Sequence, residues 1–279
     1  MTKWRHFIIP GIISMVLAVI GDLLVALVLH LPPGYATTTA ADQTVTGQVF
    51  TIIAWSVGIT VVTFGLYAIL RFGRAAEAAP APPGGHLRAH VGLQSAWIGT
   101  SLVLVMFAAG FGIVELEGQT NPDLVVPATA LKTGAAQHPL IIQVIAQQWQ
   151  FTYRYPQYGG FETQQLRLPT DRLIQFDVTS LDVTHSFWAY QLAIKLDANS
   201  GFNNVGYTYV TKPTVIDVRC GELCGLWHGY MTDVGSQAGE ALTPSNFASW
   251  LSYAKTTYGP EEKYLPKFAL EYFPLPVTY

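Results

Sequence analysis

Three long apolar runs constrain the fold of this 279-residue chain more than any other feature of its sequence. They extend over residues 7–31, 49–70 and 91–114, and each is long enough to cross a bilayer as a helix. After the third run the sequence becomes more polar and carries most of the acidic residues. We therefore expect a transmembrane anchor at residues 1–117, embedded in the lipid bilayer and joined to one water-facing domain.

Basic residues beside the apolar runs predict which way the anchor is oriented. Lys3 and Arg5 precede the first run, while Arg71 and Arg74 lie in a Pro-rich linker at residues 71–90 between the second and third runs. Loops rich in Lys and Arg stay in the cytoplasm. The pattern therefore predicts a multi-pass protein of the plasma (inner) membrane whose last domain lies on the periplasmic, extracytoplasmic side. The first run also fits a signal peptide, but its length favours a retained helix.

Net charge limits the partners that this chain can have. The formal charge is only −3, with 15 basic and 18 acidic residues. Binding to phosphate backbones requires a basic face. We therefore expect no nucleic acid partner.

Residues 118–258 have the alternating apolar and polar pattern of short β-strands. Gly, Pro and Asn turns separate segments rich in β-branched and aromatic residues, which indicates an antiparallel sandwich or barrel. The strands are expected at residues 140–155, 164–168, 173–179, 192–196, 205–210 and 214–219. Thr243 and Pro244 predict the start of a short closing helix. Residues 259–279, rich in Pro and Tyr, are expected to form an extended tail.

The loop from Cys220 to Met231 contains an unusual set of metal ligands. It places two thiols, the imidazole of His228 and the thioether of Met231 within twelve positions. Thiolate and thioether are soft ligands that favour copper over magnesium, calcium or manganese, and the Met argues against zinc. A second thiol suggests two metal ions. The alternative is a disulfide between Cys220 and Cys224, the only cysteines in the chain.

The pattern Cys220-x-Glu222-x-Cys224-x-x-x-His228-x-x-Met231 resembles the copper loop of subunit II of the haem-copper (cytochrome c) oxidases. The segment at residues 182–188, which carries His185, resembles the part of that family that supplies the first His ligand. The resemblance implies a membrane-anchored, all-β protein. N-terminal transmembrane helices would precede a cupredoxin-like Greek-key sandwich or barrel with a short C-terminal helix.

The same resemblance implies the ligands of a dinuclear copper centre, called CuA. Cys220 and Cys224 would bridge the two ions, with His185 on one and His228 on the other. Met231 and the backbone carbonyl of Glu222 would be weak axial ligands. The Glu222 carboxylate would also help to bind magnesium or manganese where the chain meets subunit I. No organic cofactor is expected.

The segment at residues 148–156 resembles the family's aromatic segment and assigns a role to Trp149. It would receive the electron from cytochrome c or a similar carrier. The chain would then pass electrons to haem in subunit I of a terminal oxidase, where oxygen is reduced to water, and would contact other oxidase subunits. Phe151 stands where the family has a second Trp, and Gln94 stands where many relatives have Glu. Gln94, together with Ala189, Tyr190 and Trp227, which also depart from the family's pattern, suggests a divergent lineage and a different electron donor.

Two other functions fit the same residues. One is the small subunit of a CuA-containing nitric oxide reductase, which uses the same domain with another catalytic partner. The other is a membrane-anchored copper chaperone or sensor, which needs an exchangeable metal. The residues that bind the metal do not separate these functions.

Overall fold

A computed structural model describes residues 4–28, 36–73, 91–131 and 138–262. The predicted linker beyond residue 73 and the tail beyond residue 262 lie outside the described residues. The described residues fall into two compact units, a helical unit at residues 4–28, 44–73 and 91–113 and a second unit at residues 36–43, 114–131 and 138–262.

The predicted apolar runs form three helices. They are α1 (Arg5–Val28), α2 (Thr38–Phe72) and α3 (Val91–Thr120). All three are long and apolar enough to cross a membrane. Many of their large apolar side chains, including Leu27, Leu70 and Trp97, are exposed. This exposure is expected for side chains that face lipid. The chain is therefore membrane-anchored.

Polar contacts join α1 to α2. Asp22 lies inside an apolar helix, where a carboxylate costs free energy unless it has a partner. It accepts a hydrogen bond from Ser56, with Oγ–Oδ2 3.0 Å. Trp55 packs against Gly21 and donates its indole N–H to the carbonyl of Leu17 at 3.2 Å. Because Gly21 has no side chain, the Trp55 ring can lie directly on the α1 backbone.

Helix α2 begins eleven residues before the apolar run that predicts it. The polar segment at residues 38–48 is helical because Thr37 caps it, accepting a hydrogen bond on Oγ1 from the Ala40 N–H at 3.0 Å. The apolar pattern alone did not predict these residues as part of the helix. Its first residues belong to the second unit, where Thr37 Oγ1 also donates to the Leu192 carbonyl at 3.1 Å.

Twelve strands form the sandwich in the second unit, together with two short helices, α4 (Pro122–Val125) and α5 (Ala128–Leu131), and the closing helix α6 (Pro244–Glu262). The strands are β1 (Leu140–Gln147), β2 (Gln150–Arg154), β3 (Glu162–Thr163), β4 (Arg167–Pro169), β5 (Arg172–Ser180), β6 (His185–Ala189), β7 (Ile194–Ala198), β8 (Asn204–Val210), β9 (Thr214–Ile216), β10 (Val218–Cys220), β11 (Thr232–Asp233) and β12 (Gly239–Leu242).

Two larger sheets face each other across the core. One has the order β3-β2-β1-β5-β8 and the other β11-β10-β6-β7, while β4-β12-β9 forms a third, smaller sheet. The architecture confirms the predicted membrane-anchored, cupredoxin-like β-sandwich with a C-terminal helix. Two of these three sheets are mixed, however, because β1 pairs with β5 and β4 pairs with β12 in parallel, while the sheet β11-β10-β6-β7 is antiparallel throughout. The expectation of purely antiparallel pairing was wrong, since 24 residues connect β1 to β5 and allow a crossover.

The core is aromatic around Phe187 of β6. This fully buried ring makes an edge contact with Phe151, lies 6.3 Å from Tyr153 and tilts against Phe176 at 5.2 Å between ring centroids. Residues from β2 and β5 in one sheet therefore meet β6 of the other. Phe187 also pairs in register with Cys220 of β10, so the core directly supports the metal-ligand loop.

Helix α6 closes the sandwich with one apolar face, as Thr243 and Pro244 predict. Trp250 contacts Tyr155 and Phe161, and Phe247 is buried. The helix continues to Glu262, four residues into the segment predicted to be extended. Tyr258 stacks on Phe161, and this contact holds the last turns of the helix on the sandwich.

Replacing Thr37 with valine is expected to destabilise the chain by about 2 kcal/mol, because both the helix cap and a buried hydrogen bond are lost. Thermal and chemical unfolding in detergent, followed by tryptophan fluorescence, measures the change. Thr256→Val, at an exposed position on α6, is the matched control and should change stability by less than about 0.5 kcal/mol. Equal effects of the two substitutions would contradict the proposed anchoring role of Thr37.

Candidate metal centre

The pairing of β6 with β10 brings His185 to the two cysteines. His185 begins β6, Cys220 ends β10, and the strands pair antiparallel with Phe187 opposite Cys220. As a result His185 Nδ1 lies 3.8 Å from Cys220 Sγ, although 35 residues separate them. The sequence alone did not identify β6 as a strand, since the segment is bounded by polar residues.

Backbone hydrogen bonds fix the ligand loop at both ends. Cys220 N–H donates to the Met231 carbonyl at 3.0 Å, and Gly221 N–H donates to the Ser186 carbonyl at 2.9 Å. Within the loop, Met231 N–H donates to the carbonyl of His228 at 3.2 Å. Gly225 has φ 122°, a conformation that favours glycine. These hydrogen bonds and the Gly225 conformation therefore define the shape of the loop.

The predicted ligands converge around two thiols that lie 3.7 Å apart between Sγ atoms. Cys220 Sγ lies 3.2 Å from the Glu222 carbonyl oxygen. Cys224 Sγ lies 3.5 Å from His228 Nδ1 and 3.9 Å from Met231 Sδ. Each thiol thus has one imidazole and one weaker donor beside it. The two cysteines are free, so the alternative of a disulfide is not seen.

Burial divides this site into an enclosed part and an open part. His185 and Met231 are fully buried, and both cysteines are buried. His228 is only half-buried, and the Glu222 side chain is exposed even though its carbonyl lies beside Cys220. Three of the ligand groups, His185, Cys220 and Cys224, form a buried cluster whose ligand atoms all lie within 4.8 Å.

Asp182 holds His185 in one orientation. Its Oδ1 lies 2.8 Å from His185 Nε2, which leaves Nδ1 facing Cys220. Asp182 in turn accepts hydrogen bonds from the backbone N–H groups of Gln148 and Val183. A carboxylate on the far nitrogen of a ligand histidine fixes its tautomer and increases its basicity. Sequence reasoning assigned no role to Asp182, although its spacing three residues before a candidate ligand was a usable signal.

The two thiols and His185 shift one another's pKa values. Burial raises the pKa of Cys220, but hydrogen bonding with His185 and with backbone groups outweighs burial and lowers it to about 6. Burial and the neighbouring Cys220 raise the pKa of Cys224 to about 12. Burial lowers the pKa of His185, but Cys220 and Asp182 together raise it overall. One thiolate therefore forms readily, and loss of the second thiol proton requires a metal.

Trp149 lies directly against the ligand loop. A side chain added at Gly225 would come within 3.4 Å of Trp149 Cζ2 and within 2.9 Å of Gln148 Nε2. Gln148 also donates its side-chain amide to the Cys224 carbonyl at 2.8 Å. The half-buried Trp149 ring therefore lies beside Gly225, and its neighbour Gln148 is hydrogen-bonded to the carbonyl of a ligand cysteine.

The tip of the loop exposes large apolar side chains. Leu223, Leu226 and Tyr230 are each more than three-quarters exposed, and Trp227 is half exposed. Four such residues on one short loop exceed the scattered apolar exposure of a typical soluble surface. The loop therefore presents an apolar surface beside its metal ligands.

Asp233, just beyond Met231, is expected to make stability depend on pH. Its carboxyl accepts a hydrogen bond from Tyr153, with Oη–Oδ2 2.6 Å, and burial raises its pKa to about 6 against the smaller opposite effect of that bond. The folded state therefore binds this proton more tightly than the unfolded state. The stability that it contributes is present in acid and is lost as the pH rises through about 6.

Replacing Asp233 with asparagine removes this titration and keeps an oxygen acceptor for Tyr153. The quantity of interest is the unfolding free energy of the metal-free variant minus that of the metal-free unsubstituted protein. This difference should increase by about 1 to 3 kcal/mol as the pH rises from about 4 to about 7. Denaturant unfolding at several pH values measures the gain. Asp123→Asn, at an exposed position, is the control, and parallel pH profiles for Asp233→Asn and the unsubstituted protein would contradict the assignment.

Fold and site together define the class of this protein. It is a membrane-anchored chain that carries a cupredoxin-like domain with a candidate copper-binding cluster at His185, Cys220 and Cys224. Residues 161–237 match the family model described as the periplasmic domain of cytochrome C oxidase subunit II. Residues 161–237 are thus similar to this domain, and the resemblance inferred from the sequence is confirmed.

Curated relatives carry the same family name. The chain is 27% identical over 210 residues to a probable cytochrome c oxidase subunit 2 of Rickettsia prowazekii, covering 58% of this chain and 66% of the relative. It is 32% identical over 115 residues to cytochrome c oxidase subunit 2 of Synechocystis, covering 41% of this chain and 33% of the relative. The chain therefore spans from about a third to just under two thirds of the length of these curated relatives.

Among solved structures, the chain is similar to the periplasmic domain of subunit II of the cytochrome oxidase of Bradyrhizobium japonicum. The identity is 28%, the alignment covers 43% of this chain and 95% of that domain, and the TM-score is 0.40.

Proposed function

We propose that this chain is the electron-transfer subunit of a terminal respiratory oxidase. It would accept electrons from cytochrome c or a similar carrier and pass them to haem in subunit I, where oxygen is reduced to water. The observation that carries this proposal is the arrangement of ligands around the two thiols. Each thiol has its own imidazole and its own weaker donor, and His185, Met231 and both cysteines are buried.

The donor set fits two copper ions better than one. A mononuclear blue-copper site uses one thiolate, two imidazoles and a weak axial donor. The loop offers a second thiol 3.7 Å from the first, so two thiolates would be available to hold the metal. Bound copper would supply one-electron redox chemistry at this position. The protein groups would fill the coordination positions, which favours electron transfer over substrate binding.

The residues around the ligands favour small rearrangement. Asp182 holds His185, and the hydrogen bonds at Cys220 and Gly221 tie the loop to β6 and to Met231. A site that keeps its shape when its charge changes has a small reorganisation energy. The fixed loop is therefore suited to rapid electron transfer, and it argues against an exchangeable chaperone or sensor site.

Trp149 is proposed as the residue that receives the electron. Its ring contacts the ligand loop at Gly225, while Gln148 bonds to the Cys224 carbonyl. The donor would meet the half-buried ring from the solvent side. Gly225 and Gln148 would thus connect the donor surface to the ligand Cys224.

Partner subunits are proposed to cover the exposed loop. The apolar Leu223, Leu226 and Trp227 and the exposed carboxylate of Glu222 form a surface that suits a protein interface. The hard Glu222 carboxylate would also suit magnesium or manganese at the junction with subunit I. Other oxidase subunits would contact the helical anchor.

The positions of basic residues support the proposed orientation. Arg5 lies at the start of α1 and Arg71 at the end of α2, which places both ends on the cytoplasmic side if all three helices span the plasma membrane. The sandwich would then lie on the periplasmic side. A donor in that compartment could reach Trp149.

Purification of the chain with its native partners tests the function. We expect a larger haem-containing subunit to co-purify and the complex to consume oxygen when supplied with reduced cytochrome c. Reduction of nitric oxide without oxygen consumption would instead identify the CuA-containing nitric oxide reductase. Rapid loss of copper to a chelator, without reversible reduction, would support the chaperone or sensor and contradict the electron-transfer proposal.

A further inference from the structure

The hairpin turn between β1 and β2 reaches the ligand loop from the opposite sheet. Gln148 and Trp149 form this two-residue turn. The turn belongs to the sheet β3-β2-β1-β5-β8, whereas the strands that carry His185 and Cys220 belong to the sheet β11-β10-β6-β7. Contacts made by Gln148 therefore connect one sheet to the metal ligands of the other.

Gln148 donates hydrogen bonds toward both halves of the ligand set. The two thiols divide the ligands into a Cys220 half, which includes His185, and a Cys224 half. The main-chain N–H of Gln148 donates to Asp182 Oδ2 at 2.8 Å, and Asp182 Oδ1 lies 2.8 Å from His185 Nε2. The side-chain amide of Gln148 donates to the Cys224 carbonyl at 2.8 Å. One residue thus connects the His185 side of the site to the Cys224 side.

The two ligand cysteines are held in different ways. Cys220 is the last residue of β10 and is fixed by the pairing of that strand with β6. Cys224 lies in the loop beyond β10, outside any strand. The Gln148 amide therefore ties to the sandwich a part of the loop that strand pairing does not reach.

The residue after Cys224 leaves room for this amide. A Cβ atom at Gly225 would lie 2.9 Å from Gln148 Nε2, so a larger residue there would push the amide away from the Cys224 carbonyl. Gly225 also has φ 122°, which disfavours other residues. The loop conformation at Gly225 thus permits the close approach of Gln148.

Gln148 is exposed, so water can satisfy the Cys224 carbonyl when the amide is removed. Water does not tie the carbonyl to the hairpin, however, and groups around metal ligands determine the ligand geometry. We propose that Gln148 is a positioning residue that fixes the Cys224 half relative to the His185 half. The two proposed copper ions would then have equivalent surroundings. This inference rests on the proposed dinuclear centre.

Gln148→Met tests the role of the amide, because methionine has a similar length and no N–H donor. In the copper-loaded, partly reduced full-length chain, the variant should show unequal hyperfine coupling to the two copper nuclei. It should also lose copper to a chelator about threefold faster or more. The thermal unfolding midpoint should not change, since the position is exposed. Gln150→Met, also at an exposed position, is the matched control and should leave all three measurements unchanged.

Hydrogen–deuterium exchange of the metal-free chain tests the same contact without copper. Backbone N–H groups at residues 221–230 should exchange about threefold faster in Gln148→Met, and at the original rate in Gln150→Met. Equal hyperfine coupling in Gln148→Met, unchanged exchange in Gln148→Met, or the same effects in Gln150→Met would each overturn the positioning role. A single-copper spectrum from the unsubstituted chain would instead contradict the dinuclear centre, and exchange would still decide whether Gln148 positions Cys224.

Discussion

Replacing Cys224 with serine is expected to lower the copper content from two ions per chain to one or none. Its Sγ lies 3.7 Å from Cys220 Sγ and close to both His228 and Met231. Serine removes the soft donor that the two proposed ions would share, and a hydroxyl is a poor copper ligand. Metal analysis of the purified chain measures the stoichiometry, and electron transfer from reduced cytochrome c should fall by at least about a hundredfold.

Met231→Leu provides the control for this experiment. Met231 is proposed only as a weak axial ligand, and leucine has similar volume in its fully buried position. We expect both ions to be retained, with a change in reduction potential. Retention of two copper ions by Cys224→Ser would show that this thiol does not bridge them.

Replacing Phe187 with alanine is expected to lower the free energy of unfolding by about 3 to 5 kcal/mol. The ring is fully buried and contacts Phe151, Tyr153 and Phe176 across the two sheets. Its removal leaves a cavity where β6 supports both His185 and Cys220. The variant should therefore lose stability and also bind copper with a disturbed spectrum.

Phe247→Ala separates the two effects. Phe247 lies on α6, where its buried ring contacts Tyr158 and Trp250, and it is not part of the strands that carry the ligands. Denaturant unfolding should show a large loss of stability in both variants. Only Phe187→Ala should change the copper spectrum. An unchanged spectrum in that variant would contradict the claim that the buried Phe187 ring supports the metal site.

Local sequence patterns predicted much of this molecule. The apolar runs predicted all three anchor helices, and Thr243 with Pro244 predicted the start of α6. The ligand loop was recognisable because Cys220, Cys224, His228 and Met231 lie close together in sequence. These features depend on neighbouring residues, which is why the sequence alone was sufficient to find them.

Features that depend on distant contacts were missed. Thr37 starts α2 early because its hydroxyl also bonds to Leu192, more than 150 residues away. The parallel pairing of β1 with β5 depends on a crossover, and β6 is too short and polar at its start to show a strand pattern. The role of Asp182 became visible only when folding placed it on His185 Nε2. Long-range packing decides each of these features.

Electron paramagnetic resonance of the copper-loaded chain tests the central claim most directly. The ligand geometry predicts that, after partial reduction, one unpaired electron is shared equally by two copper nuclei, and that metal analysis of the same sample gives two ions per chain. A hyperfine pattern from a single copper nucleus, with one ion per chain, would contradict the dinuclear centre at Cys220 and Cys224.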